Sequence, residues 1–434
     1  MPKSETPPAW AVSVESRGRQ EPRQWRHVRA YGGEVDLAAA FHRPEGVSAT
    51  LYTQVRTRRR GKAELRVGCD GDVEVSLDGR SVAVTKDGDE CVGLLELAGS
   101  NHDLLLRVGT EQPVRTVAAK LATGDEVSYS CARPPGTEPP AHISGVFLFW
   151  RDRLAEEDQT QWERRFEFLR GLGMDTLIVQ FSVVEGTAFY PSRHLHAAAP
   201  EGVDPTGRLL AAAAQSGFSV HLGVASDESN WWDIPNRPAD LPKYVEKEPE
   251  RNNRIARELI ELYRDSPALA GIYLSHEIHL GDEWGGENMP HLVEIFNRMS
   301  DEVQRLAPEL AVSTAPFFSL RGTIEQYEDR WRRFLEQTRL DILMLQDGVG
   351  CERNITVDNM VPYYEALARA CNDTGVDFWT DLELFDLQRP EAVTAERLRT
   401  QLSLEAQYVR KVVAYSLGNL TPELVAVLPA RGRA

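Results

Sequence analysis

From residue 144 onward the chain alternates short, near-continuous apolar runs with amphipathic stretches, and this alternation restricts the fold more than any other feature. The apolar runs cover 145–150, 175–181, 219–225, 269–278, 310–317, 341–348, 377–385 and 411–417. Helical patterns at 156–172, 248–265, 288–307, 323–338, 357–374 and 394–410 lie between them. Strands that are apolar on both faces and separated by helices are parallel strands covered on both sides. Eight such units over about 290 residues predict a (β/α)8 TIM barrel, a fold of ~250 residues or more. The competing doubly wound sheet needs a glycine-rich nucleotide turn after an early strand, and the sequence has none.

Up to about Thr123 the pattern has period two instead. In Ala63-Glu64-Leu65-Arg66-Val67-Gly68-Cys69 the odd positions are apolar, as a half-buried strand requires. Asp72-Val73-Glu74-Val75-Ser76-Leu77 repeats the theme and runs into Asp78-Gly79, a strong two-residue hairpin signal. Further strands are expected at 93–97 and 103–108, so this region predicts an antiparallel β-sandwich of jelly-roll type. Four prolines in Arg133-Pro134-Pro135-Gly136-Thr137-Glu138-Pro139-Pro140 favour a stiff extended connector. The expected organisation is therefore multidomain, all-β plus α/β: a sandwich over 1–132, a linker over 133–142 and the barrel over 143–434.

Lys and Arg number 49 against 66 Asp and Glu, a formal charge of −17. Such a surface repels phosphate backbones and anionic lipids, so neither nucleic acid nor membrane is an expected partner. The basic run Arg56-Thr57-Arg58-Arg59-Arg60 reads as a solvated loop. Five widely spaced cysteines form no CxxC and no zinc spacing, which predicts reduced thiols, no disulfide framework and no metal or other cofactor. The polar N-terminus has no apolar signal-peptide core, and no apolar run approaches the ~18 residues of a membrane span. These features predict a cytoplasmic protein.

Chemistry in a barrel belongs at the C-terminal strand ends. Strand one ends in Phe149-Trp150, and strand two in Gln180 with Tyr190 in its loop. Strand three leads to Asp227 and Trp231-Trp232; strand four ends in His276-Glu277, with Trp284 beyond. Strand five ends in Phe317, strand six in Gln346-Asp347, and strand seven in Asp381-Leu382-Glu383. Carboxylates, amides and aromatics in this phase match sugar chemistry, which needs one carboxylic acid for the leaving oxygen and one carboxylate as nucleophile or base. Glu277, Glu383 and Asp347 are the candidate catalytic acids. Trp150, Tyr190, Trp231, Trp232, Trp284 and Phe317 are candidate ring platforms, with Trp379 a further one. Gln180, Asp227, His276, Gln346 and Asp381 are candidate ligands for sugar hydroxyls. Strand alternation puts Trp379, Asp381 and Glu383 on one face, so Asp381 lies one layer below Glu383 if that face looks inward.

Two resemblances add to this reading. Residues 49–108, including "VRTRRRGKAELRVGCDGDVEVSLDGR" and "LLELAGSNHDLLLRVG", resemble the galactose-binding-like modules attached to many glycoside hydrolases. The segments "LRGLGMDTLIVQF", "FYPS", "GFSVHLGVASDESNWW", "GIYLSHEI", "STAPFF", "LDILMLQDGVG" and "DLELF" resemble a bacterial family of glycoside-hydrolase-like TIM barrels of unknown function. That resemblance implies a barrel and carbohydrate chemistry on a carbohydrate or glycosylated small molecule. The large clan of retaining (β/α)8 glycosidases is similar in placing its acid/base Glu on strand four and its nucleophile Glu on strand seven, where Glu277 and Glu383 fall. His276 stands where that clan usually has Asn.

Two alternatives compete with a two-carboxylate glycosidase. In a non-catalytic carbohydrate-binding barrel the aromatics and amides would remain without a productive acid pair. A metal-dependent hydrolase would draw on His276, His279 and Asp282, but this is not an HExxH helix, and strand one lacks a His-x-His pair.

Overall fold

The computed structural model describes residues 3–14, 25–225, 231–318, 320–351, 354–387, 393–426 and 428. The chain forms two compact units, Met1–Glu138 with Arg369–Asp377, and Pro139–Ala368 with Phe378–Ala434.

In the first unit two antiparallel sheets enclose one apolar core. One sheet runs through Lys3–Glu5, Thr116–Thr123, Arg60–Cys69, Glu90–Ala98 and Val84–Asp87; the other through Arg26–Arg29, Ala9–Val14, Ala49–Thr57, Asn101–Val108, Val73–Leu77 and Arg80–Val82. The alternating residues Leu65, Val67, Leu95, Leu97, Leu104 and Leu106 all face this core. Burying each such side chain contributes about 1.5–3 kcal/mol. Asp78 and Gly79 join Val73–Leu77 to Arg80–Val82 with φ of 52° and 74°. A tight hairpin of this hand requires both positive angles, which explains the Asp-Gly pair.

In the second unit eight parallel strands close into a barrel. They are β1 (Gly145–Leu148), β2 (Thr176–Val179), β3 (Ser219–Gly223), β4 (Leu269–Leu274), β5 (Ala311–Thr314), β6 (Ile342–Gln346), β7 (Asp377–Glu383) and β8 (Lys411–Tyr415). The seam is the pairing of Gly145 with Val413 and Val146 with Ala414. Phe147, Ile178, Tyr273, Ala315, Met344, Trp379 and Val413 fill the interior. Among the helices outside are α1 (Leu241–Tyr263), α2 (Met289–Leu306), α3 (Val357–Thr374) and α4 (Ala395–Glu405). Gly271 on β4 is a close-approach position. A Cβ there would lie 2.6 Å from His221 Nδ1 and 2.4 Å from Ala311 O, so glycine makes room for the His221 ring inside the barrel.

The interior residues fix the phase of each strand. Met344 pointing inward sends Gln346 inward, Trp379 sends Asp381 and Glu383, Val413 sends Tyr415, and Tyr273 sends Ser275 and Glu277. Among the described residues no helix is long and apolar enough to cross a membrane.

Candidate active site

Glu383 closes β7 and is 2% exposed. Its Oε2 accepts hydrogen bonds from the backbone N–H groups of Gly350 (2.6 Å) and Cys351 (3.0 Å), in the loop after β6. Glycine is needed at 350, because a Cβ would meet Phe385 O at 2.2 Å and Glu383 Oε2 at 3.0 Å. Glu383 Oε1 has no hydrogen-bond partner among the described residues. Burial raises the Glu383 carboxyl and the charge of Asp347 adds to it, taking it to about 8 against the pull of the Cys351 thiol and the two N–H donors. Glu277, beyond the end of β4, is also raised by burial, while a hydrogen bond from Gln346 acts the other way. Gln346 is held in turn by donating to Ala315 O at 3.0 Å.

Asp381 sits one inward position below Glu383 on β7. It is buried, and its Oδ1 has no partner among the described residues. Burial and then the charges of Glu383, Asp347 and Glu277 push it well above the carboxylate range. The same glutamates, Glu383 and Glu277, also push up the Cys351 thiol after burial. Fields from both glutamates therefore reach Asp381 and Cys351, and the ends of β4, β6 and β7 form one acidic neighbourhood. Tyr415, at the end of β8, joins it. Its hydroxyl donates to Gln180 Oε1 at 2.8 Å, and burial followed by Glu277 and Asp381 raises it to about 12. The sequence reading missed Tyr415, although its phase with Val413 on β8 already carried the signal. Half-buried Phe149 and Phe181 meet edge to face at 5.9 Å beyond β1 and β2. Phe317 is half-buried beside Gln346.

Several expectations need correction. Asp347 is fully buried, and N–H donors occupy both its oxygens: Val349 N on Oδ1 (2.9 Å), and Glu383 N (3.2 Å) with Gln401 Nε2 (2.7 Å) on Oδ2. It supports the backbone of Glu383 and offers no free oxygen for attack. His276 points outward, as the inward phase of Glu277 dictates. Its Nε2 lies 3.3 Å from Glu248 Oε1 on α1, and its ring packs on Phe296 of α2. Burial raises the Glu248 carboxyl, but His276, Arg251 and Asn252 outweigh it and hold the group at about 2. His276 thus pairs with Glu248 behind the strand and faces away from the barrel interior.

Four expected ring platforms are packing residues. Trp150 is 1% exposed, stacked on Phe189 at 5.2 Å with its neighbour Trp162 edge-on. Trp284 has no exposed surface. Tyr190 is buried and donates to Glu258 Oε2 at 3.0 Å, an oxygen that Ser192 also reaches. Trp379 belongs to the barrel core, against His221 and beneath the Lys411 ammonium. These rings were misplaced because an aromatic after an apolar run has the same local pattern whether it faces the opening or a helix. Trp231 and Trp232 begin a 3-10 helix, Trp231–Asn236. Asp227 lies outside the described residues. Among the described residues no group of three or more His, Cys, Asp or Glu side chains could hold a metal ion.

Residues 143–424 match the family described as Domain of unknown function (DUF4434). Among solved structures, a protein of Bacteroides thetaiotaomicron VPI-5482 provisionally assigned as an alpha-L-fucosidase is similar over 66% of this chain and 90% of its own. The TM-score is 0.52 at 19% identity. A GH2 beta-galacturonidase from Eisenbergiella tayi aligns over 99% of this chain and 94% of its own, with TM-score 0.39 and 10% identity. A GH18 chitinase from Pseudoalteromonas aurantia aligns over 65% and 97%, with TM-score 0.43 and 10% identity. No curated protein matches this chain in sequence. The likeness is one of fold alone, a closed barrel of eight parallel strands.

Proposed function

The chain belongs to the DUF4434 family, and from that premise we propose that it is a glycosidase that cleaves or transfers a glycosidic bond with two glutamates. Glu277 protonates the departing oxygen, and Glu383 Oε1 attacks the anomeric carbon. Glu277 then takes a proton from the water that releases the sugar from Glu383. The substrate is a carbohydrate or a glycosylated small molecule.

The observation that carries this reading is the state of Glu383: one oxygen is fixed by two backbone N–H groups, and the other has no partner among the described residues. Hydrogen bonds to the charged form favour ionisation, and Asp381, with no such donor on Oδ1, is the neighbour that keeps a proton. Glu277 is raised by desolvation, as suits an acid. Gln346 and Tyr415 border the two glutamates, and in this reading they orient the substrate.

Release of the aryl group from a panel of nitrophenyl glycosides, with Glu277→Gln and Glu383→Gln as controls, tests the reading. Each variant is expected to lose about 10²–10⁴-fold in turnover. If both retain wild-type rates on a substrate the protein cleaves, the assignment is wrong.

A further inference from the structure

Behind β7, on the side away from the barrel interior, lies a second buried acid that the proposed chemistry does not use. Glu405 ends α4 and has no exposed surface. Gln401, one turn earlier on the same helix face, donates to Asp347 Oδ2, and this places the Glu405 carboxyl against the same Asp347, whose charge raises it. The remaining polar contacts run in one direction. Thr380 Oγ1 has two acceptors, Glu405 Oε2 at 2.7 Å and Leu345 O at 3.3 Å; with its one proton on either of them, the Tyr364 hydroxyl, 2.7 Å away, donates to Thr380. Glu405 Oε1 has no N–H or O–H donor among the described residues.

Two carboxylates brought together in this way need a proton between them, since an ionised carboxylate only accepts. Asp347 already receives three N–H bonds and lies near the Arg397 guanidinium. Among the described residues Glu405 receives one hydroxyl and makes no ion pair. We propose that Glu405 is a carboxylic acid whose Oε1–H donates to an ionised Asp347, so that the pair carries one negative charge and acts as a positioning device for Glu383. The other ionisable groups facing the pair are Glu383 and Asp381 on β7, Cys351 after β6, Tyr364 on α3 and Arg397 on α4. Burial raises Glu405 well above the carboxylate range, while Asp347, also raised by burial, is drawn back by its N–H donors and Arg397.

The consequence for catalysis rests on the reading of Glu383 as nucleophile. One charge instead of two behind the strand lets Glu383 ionise, and Asp347, fixed by Glu405, holds the Glu383 N–H in place. Both effects act through Asp347, so Glu405 touches no substrate.

Glu405→Gln replaces the proposed neutral acid with a neutral amide that also donates. Urea unfolding of wild type and Glu405→Gln is measured across pH. A Glu that keeps its proton when folded and loses it when unfolded destabilises the wild type as pH rises above the unfolded value of ~4.3. The ratio of unfolding constants, wild type over variant, is then expected to grow about tenfold per pH unit. A ratio that stays flat between about pH 5 and 7, where two decades of growth are expected, overturns the proposal. On a cleaved aryl glycoside the acid limb of kcat/KM is expected to be unchanged in Glu405→Gln; a downward shift means a charge was removed and also overturns it. If Glu405→Gln does not fold, infrared spectra of the Glu277→Gln/Asp381→Asn/Glu383→Gln variant decide, since burial raises those three acids too: the C=O stretch of a protonated buried acid is expected to remain at neutral pH, and its absence refutes the idea. The unfolding and infrared results do not depend on turnover, so loss of the glycosidase reading would not be confused with loss of this one.

Discussion

Replacing Gly350 with Ala tests how Glu383 is kept ionisable. The added Cβ would lie 2.2 Å from Phe385 O, a backbone atom that cannot swing aside. The loop must therefore move, and the first bond lost is Gly350 N–H to Glu383 Oε2, at 2.6 Å the shorter of the two donated there. A hydrogen bond to a charged group contributes about 1.5–3 kcal/mol, and one pKa unit corresponds to about 1.4 kcal/mol. Loss of this donor from the charged form raises the Glu383 pKa by about 1–2 units. Since Glu383 already stands near 8, neutral pH lies on the acid limb. The ionised fraction there, and with it kcat/KM, falls about 10–100-fold. The assay is the pH dependence of kcat/KM on an aryl glycoside, which reports groups of the free enzyme. The limb is expected to move to higher pH, with activity recovered as pH rises. An unmoved limb, or a loss that is equal at every pH, would refute the argument that these N–H groups set the charge of Glu383.

Further outcomes follow from the same geometry. Glu277→Gln should lose most on glycosides with poor leaving groups and far less on dinitrophenyl glycosides, which depart without protonation; equal losses on both would remove Glu277 from the acid role. Tyr415→Phe deletes the hydroxyl that Gln180 accepts and is expected to cost about 1 kcal/mol, read as a severalfold rise in KM. Trp150→Ala should cost roughly 3–5 kcal/mol of stability, measured by urea unfolding, while Trp150→Phe leaves turnover near wild type; a KM effect without destabilisation would return Trp150 to the site. Glu248 is depressed when folded, so its contacts with His276, Arg251 and Asn252 contribute stability above the unfolded value of ~4.3 and lose it as pH falls toward 2. Glu248→Gln should therefore cost roughly 3 kcal/mol at neutral pH and progressively less in acid, and a cost independent of pH would contradict the pairing.

The fold was legible because period is a local property. Alternation in Ala63-Glu64-Leu65-Arg66-Val67 marks a one-sided strand, and the unbroken run from Leu269 to Leu274 marks a strand covered on both faces. The inward phase of β7 was readable in the same way, and it groups Asp381 with Glu383. Which way a residue beyond a strand faces was not readable. Asp347 and His276 each stand one place from an inward side chain, Gln346 and Glu277, and that single step sends them to α4 and α1. Glu405 carried no signal at all, because a glutamate ending an amphipathic helix is ordinary until its helix is seen to press it against Asp347. The two donors of Gly350 and Cys351 were equally hidden, since a backbone N–H leaves no trace in side-chain chemistry.

The thiol of Cys351 shares its loop with those donors and sits beside the Glu383 carboxylate, which with burial holds the sulfur in its protonated form. Alkylation proceeds through the thiolate, so iodoacetamide should label this cysteine sluggishly while the loop is closed on the glutamate. Labelling speed then becomes a gauge of how often that clasp springs open, readable without any sugar in the tube.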